Sequence, residues 1–296
     1  MTFNDDSQLQ GGKVRRRGRT TAIAGGGVGI AAVVVFLIAQ FTGVDLSGLV
    51  DSGGVTQIQQ AGDEASPVAE CRTGRDANAS IDCRMEGAAE SLDAYWTSES
   101  RQLGITYSSP DFWLFDGSTD TACGTASAAT GPFYCPPDRA IYLDTAFYDD
   151  LQAKYGASGG PLAQMYVVAH EWGHHVQQLQ GTFADTDRSG TGASSGSVRV
   201  ELQADCYAGA WVGDAANTTA ANGQTFFEPI TQAQIADALS AASAVGDDSI
   251  QRRSTGQVDP DSFTHGSSAQ RQRWFERGYE QGATSCDTLT VPGSSL

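Results

Sequence analysis

The stretch Tyr166–Gln180 constrains this chain more than any other, because it reads as a helix with one committed face. Leu162, Met165, Val168, Ala169, Trp172, Val176 and Leu179 recur at helical spacing, Pro161 suits a first turn, and Gly181 stands where a terminating glycine is expected. Inside that frame, His170-Glu171-Trp172-Gly173-His174 puts two imidazoles one turn apart on one face with a carboxylate beside them. This is half of a zinc site with a general base in place.

Two histidines do not hold a catalytic zinc; a third protein ligand is needed. A metzincin-type site would require glycine at 177 and histidine at 180, and both positions are glutamine, Gln177 and Gln180. The remaining candidates are the carboxylates of Glu201-Leu202-Gln203-Ala204-Asp205, one turn apart on a second helix candidate, Val198–Trp211. Glu201 is the expected ligand, and Asp205 the acceptor that fixes the tautomer of a ligating histidine. The converse assignment, with Asp205 on the metal, stays open at this point. His175 points about 100° away from His174 around the helix and is expected to pack. Tyr207 is expected in the core, and Cys206 away from the metal.

Three blocks then carry a resemblance: His-Glu-Trp-Gly-His-His-Val-Gln from His170, Glu-Leu-Gln-Ala-Asp-Cys-Tyr-Ala-Gly from Glu201, and Thr-His-Gly-Ser-Ser-Ala-Gln-Arg from Thr264. Together they resemble the bacterial putative neutral zinc metallopeptidase family, grouped with the gluzincin-like peptidases, over a span from about Cys71 to the end. The resemblance implies a zincin-like fold, one catalytic Zn²⁺, hydrolysis of peptide bonds, His170, His174 and Glu201 as ligands, and Glu171 as base towards a water polarised by zinc. His265 is the candidate oxyanion donor, by elimination among four histidines and because His265 and Arg271 resemble a spacing found after the zinc helix in some membrane gluzincins. The plainer role for His265 is to order the loop before the helix that begins near Ser267. An inert zinc-binding scaffold is the alternative function, and the intact Glu171 argues against it.

Composition sets the surroundings. The formal net charge is −17; residues 1–20 carry +3, from Lys13, Arg15, Arg16, Arg17 and Arg19 against Asp5 and Asp6, which leaves −20 on the rest. So acidic a body excludes nucleic acid as a partner and leaves a peptide or protein as substrate. The six cysteines form no Cys-x-x-Cys pair, which argues against a redox or structural-zinc motif and for disulfides in an oxidising compartment. Cys71/Cys83 and Cys123/Cys135 share one spacing and are the expected local pairs, leaving Cys206 with Cys286.

Residues 20–44 contain no charge and are long enough to cross a hydrocarbon core, which takes about 20 residues. The expectation is therefore a basic cytoplasmic segment at 1–19, a transmembrane helix at 20–44, a Gly/Ser/Gln-rich linker at 45–70, and a catalytic domain at 71–296 outside the membrane. Within that domain the expected fold class is α+β, with small strands first and helices afterwards. Strands are expected at Gly104–Tyr107, Phe112–Phe115 and Ala140–Leu143, the last as the strand along which substrate would lie. Thr119–Pro137 reads as loop, and capping boxes at Thr231/Gln234 and Ser267/Gln270 open two later helices.

Overall fold

The computed structural model describes residues 1–17, 66–68 and 70–296. Its core is a mixed sheet packed under helices. Among the described residues the sheet runs in the order β2 (Ser66–Pro67), β1 (Val14–Arg16), β3 (Asp111–Phe115), β7 (Ala140–Asp144), β6 (Phe133–Cys135). β1, β3 and β7 are parallel, and β2 and β6 pair antiparallel at the two edges. The period-2 alternation of strands sorts the side chains. Phe112, Leu114, Tyr134, Ile141 and Leu143 join the main core, while Phe115, Phe133, Cys135 and Tyr142 form a smaller core on the other face. That second face is covered by a hairpin of β4 (Ser118–Thr121) and β5 (Gly124–Ser127), stapled to β6 by Cys123–Cys135.

The helices follow in chain order: α1 (Gly74–Ala79), α2 (Ile81–Glu99), α3 (Phe147–Ala153), α4 (Pro161–Gln180), α5 (Thr182–Asp185), α6 (Gly196–Asp214), α7 (Gln232–Ala244), α8 (Asp247–Ser254) and α9 (Ser268–Gln281). The start and stop signals of α4 act as expected: Pro161 is at its first position, and Gly181 ends it in the left-handed region at φ 81°. Both capping boxes form, at Thr231/Gln234 and at Ser267/Gln270. Helix contacts are close because glycines permit it. A Cβ on Gly278 of α9 would sit 1.8 Å from the Cys206 carbonyl oxygen of α6, and one on Gly173 of α4 would sit 3.0 Å from Ala204 Cα. Gly173 thus lets α4 and α6 approach at the level of the two motifs. The third disulfide, Cys206–Cys286, ties α6 to the C-terminal tail, and Cys71–Cys83 closes the start of α2, as the spacing predicted.

Three expectations are corrected. The α+β class with a small sheet is observed, but a transmembrane helix is not part of the fold described. No helix among the described residues is long and apolar enough to cross a membrane. The expected span at 20–44 lies outside the described residues, as does most of the expected linker. Its two flanks, however, meet in one sheet, with Arg16 partnering Ser66 and Arg15 partnering Pro67. A single crossing would hold those flanks about 30 Å apart. The basic cluster meets the acidic body: Arg16 pairs with Asp82 at 2.7 Å and Asp116 at 2.8 Å, Lys13 pairs with Asp93, and Arg17 lies over the Trp113 ring. Buried Glu86 accepts the Lys13 and Val14 N–H groups at 2.8 Å each, and Met1 and Phe3 are fully buried.

The second correction concerns the strands. Gly104–Tyr107 is irregular, its Tyr107 hydroxyl serving Asp93 and Trp172, and β6 with the β4–β5 hairpin occupies the stretch read as loop. The third follows from it. β7 is paired on both sides, so it has no free edge for a substrate; that edge belongs to β6.

Candidate metal centre

α4 and α6 cross with the two motifs face to face. His170 and His174 project from α4, and Glu201 reaches them from α6, its carboxylate oxygens 3.1 Å from His170 Nε2 and 3.6 Å from His174 Nε2. One donor atom from each of the three lies within 4.8 Å of the others, and all three residues are buried. Ligands held about 2.0–2.2 Å from one tetrahedral centre stand about 3.4 Å from each other, so the observed separations suit a shared ion.

The outer nitrogens decide which lone pairs point inward. His170 Nδ1 lies 2.8 Å from Asp205 Oδ1, and His174 Nδ1 lies 2.8 Å from Gln177 Oε1. Both partners are acceptors, so each Nδ1 carries a proton and each Nε2 is the ring nitrogen turned towards Glu201. Two imidazole nitrogens and a carboxylate oxygen form a borderline donor set of the kind zinc takes. Asp205 is placed one turn from Glu201 but faces the back of His170 rather than the cluster. Its carboxylate is also held by Arg271 in a two-point pair at 2.8 and 2.9 Å, and by the Tyr166 hydroxyl. Against burial, which would raise it, Arg271 and His170 hold Asp205 down at about 2.

Glu171 is buried beside the cluster and lines the same cavity. Burial pushes its carboxyl up to about 7, opposed by His170 and by the Tyr134 backbone amide. Burial also pushes His174 down to about 4, in keeping with a neutral imidazole. The cavity, of about 120 Å³, is walled by Phe133, Phe147, Tyr155, Val167, Val245 and Ile250. It opens beside β6, whose preceding residues Thr130–Pro132 contribute to the rim.

His265 reaches this cavity from the loop between α8 and α9. Asp247, at the first turn of α8, clamps that loop by accepting the N–H groups of Thr264, His265 and Gly266 at 2.7, 2.7 and 2.9 Å. Burial would lower the His265 pKa, but Glu201 and Asp247 hold it above its ordinary value. His265 Nδ1 lies 3.4 Å from Asp247 Oδ1, and the ring lines the cavity.

The remaining sequence candidates sit elsewhere. His175 lies between the Tyr134 hydroxyl and the Ser108 carbonyl, away from the cluster. The Tyr207 hydroxyl donates to Gln180, and Cys206 is in its disulfide. Three residues of the site escaped the sequence reading: Gln177, Tyr166 and Asp247. Gln177 had a signal, since a residue three positions after His174 lies on the same helix face. Tyr166 stands four before His170 for the same reason, whereas Asp247 opens α8, far along the chain, and had none.

Comparison with known sequences follows the same blocks. The profile described as putative neutral zinc metallopeptidase matches residues 3–289. The chain belongs to that family. Rv2575 of Mycobacterium tuberculosis, described as uncharacterized, is 45% identical over 249 residues, covering 82% of this chain and 84% of the relative. YpfJ of Escherichia coli K12, also described as uncharacterized, is 38% identical over 269 residues, covering 88% and 86%. No solved structure matches the chain. The metallopeptidase family match begins at residue 3, so it includes the N-terminal arm that the fold places in the sheet.

Proposed function

We propose that this family member is a zinc-dependent peptidase acting in an oxidising, extracytoplasmic compartment. One observation carries the reading: the Nε2 atoms of His170 and His174 converge with the Glu201 carboxylate at a cavity that also holds the buried carboxyl of Glu171. Three disulfides and no free cysteine support the compartment.

His170, His174 and Glu201 would hold the zinc, which supplies Lewis acidity to a carbonyl and acidifies water. Glu171 does the proton work. Raised towards neutrality by burial, it can take a proton from the attacking water and return it to the leaving amine. His265 stands across the cavity as a donor for the oxygen that gains charge. An extended chain segment would add to the outer edge of β6, the last strand of the sheet among the described residues, whose Phe133 lines the cavity. The apolar walls then receive one side chain of that segment and exclude water from the reacting bond.

The test is cleavage of an unfolded protein such as casein by the full chain. Activity should require zinc, disappear on chelation and return on zinc addition. Glu171→Gln should lower the rate at least about 100-fold while zinc content stays at one ion per chain. A Glu171→Gln protein as active as the wild type would sink the reading.

A further inference from the structure

The chain of hydrogen bonds behind His174 runs further than a tautomer lock requires, and it ends in the C-terminal tail. Gln177 Oε1 faces His174 Nδ1 at 2.8 Å, while Gln177 Nε2 donates to the Val200 carbonyl at 2.7 Å and to Gln203 Oε1 at 3.0 Å. Gln203 Nε2 in turn donates to the Cys286 carbonyl at 2.9 Å. His174, Gln177 and Gln203 are all buried.

The orientation of each amide is forced. A carbonyl oxygen only accepts, so the Cys286 carbonyl fixes which end of Gln203 is the NH₂. The Val200 carbonyl does the same for Gln177. With both amides set, only the oxygen of Gln177 can face His174, and an amide oxygen cannot donate to a ring nitrogen. His174 must then carry its proton on Nδ1, and its Nε2 presents a lone pair to the cluster with Glu201.

We propose that Gln177 is a positioning residue for the metal centre. It holds His174 in the metal-binding tautomer, and Gln203 and the disulfide-tied tail at Cys286 form the outer links that hold Gln177. The proposal rests on the zinc reading for its consequence, but its geometry does not depend on it. The two glutamines lie on the facing helices α4 and α6, so the relay also fixes the relative height of the two ligand-bearing helices. His170 receives its lock from a charged group, Asp205; His174 receives its lock from a neutral amide. A second carboxylate here would add buried negative charge beside Glu201, and an amide supplies the acceptor without that cost.

Two measurements on the full chain test this. Long-range ¹H–¹⁵N NMR of histidine-labelled, chelator-treated wild type should show His174 protonated at Nδ1. A signal from the Nε2-protonated form would overturn the proposal, whatever the variants do. Zinc affinity, measured by competition with a chromophoric chelator, should fall about 10–100-fold in Gln177→Leu and by a smaller factor in Gln203→Leu, where the Val200 carbonyl still orients Gln177. A folded Gln177→Leu protein with wild-type zinc affinity would also overturn it. Should Gln177→Leu fail to fold, the wild-type spectrum decides alone. Should the wild type bind no zinc, the peptidase reading falls while the tautomer remains measurable.

Discussion

At the scale of single residues, the site is a buried charge arrangement whose parts hold each other. Arg271 is buried and faces Asp205 with two nitrogens, and Asp205 holds His170. Removing the cation alone leaves a core carboxylate without its two-point charged partner, although the Tyr166 hydroxyl and His170 still face it. Arg271→Met should therefore cost about 3–5 kcal/mol in urea unfolding, far more than a surface arginine. Asp247 offers a pH test. Its carboxylate takes three backbone N–H groups and is held below its ordinary value, against burial, by those bonds and by His265. A depressed carboxylate stabilises the fold above its unfolded pKa of about 3.9, and that stabilisation disappears as pH falls through the lower folded value. Asp247→Asn should thus be less stable than the wild type by about 1.5–3 kcal/mol at pH 6, with the gap narrowing below about pH 4. Equal stabilities at pH 6 would show that the loop carrying His265 is not clamped this way. The residue scale was also the most legible from sequence. The spacing of His170, His174, Glu201 and Asp205 named the groups that meet, because helical periodicity alone brings them to two faces. Gln177 was read only for what it excluded, since nothing in a sequence shows which way an amide faces.

At the scale of elements, the long helices and the strands β3 and β7 were legible, while β6, the β4–β5 hairpin and the short helices α1, α5 and α8 were not. α4, α6, α7 and α9 announce themselves with caps and a 3.6-residue period. β6 is three residues set among Gly131, Pro132, Pro136 and Pro137, and such a stretch has no room to show a period of two. It pairs because β7 offers it an edge, which is a tertiary cause. The close crossing of α6 and α9 was equally hidden, although its glycines are plain in the sequence. At Gly278 an added Cβ meets backbone, not a movable side chain. Gly278→Ala should force the two helices apart, lowering stability by about 1–3 kcal/mol or more in thermal or urea unfolding. Substitution at Gly282, where nothing crowds a Cβ within 4 Å, should lack that packing cost and show only the strain of its left-handed φ of 77°.

At the scale of the whole molecule, the N-terminal arm changes what counts as the domain. The sequence reading separated residues 1–19 from the rest on charge and on the uncharged stretch behind them. Charge is a poor guide to position when the opposite sign is spread over the body, and here Arg16 finds Asp82 and Asp116 and Lys13 finds Asp93. The arm is anchored by apolar burial as well: Phe3 packs against Phe227, the rings tilted by 42° with centroids 4.3 Å apart, and covers Gly87. Phe3→Ala should cost about 3–5 kcal/mol, as a core phenylalanine does, where a detached tail would give no change in the unfolding midpoint.

The antiparallel pairing of Arg16 with Ser66 has one more outcome, for the integrity of the chain. Residues on the two sides of the interval between 17 and 66 lie on neighbouring strands of one sheet, held by strand pairing, side-chain ion pairs and apolar burial, so the covalent link between them is not what keeps the arm in place. The two pieces of a chain produced divided between residues 17 and 66 should run separately under denaturing electrophoresis and together on a sizing column. The first piece would remain as a noncovalent strand of the sheet, much as a split protein holds its complementing fragment.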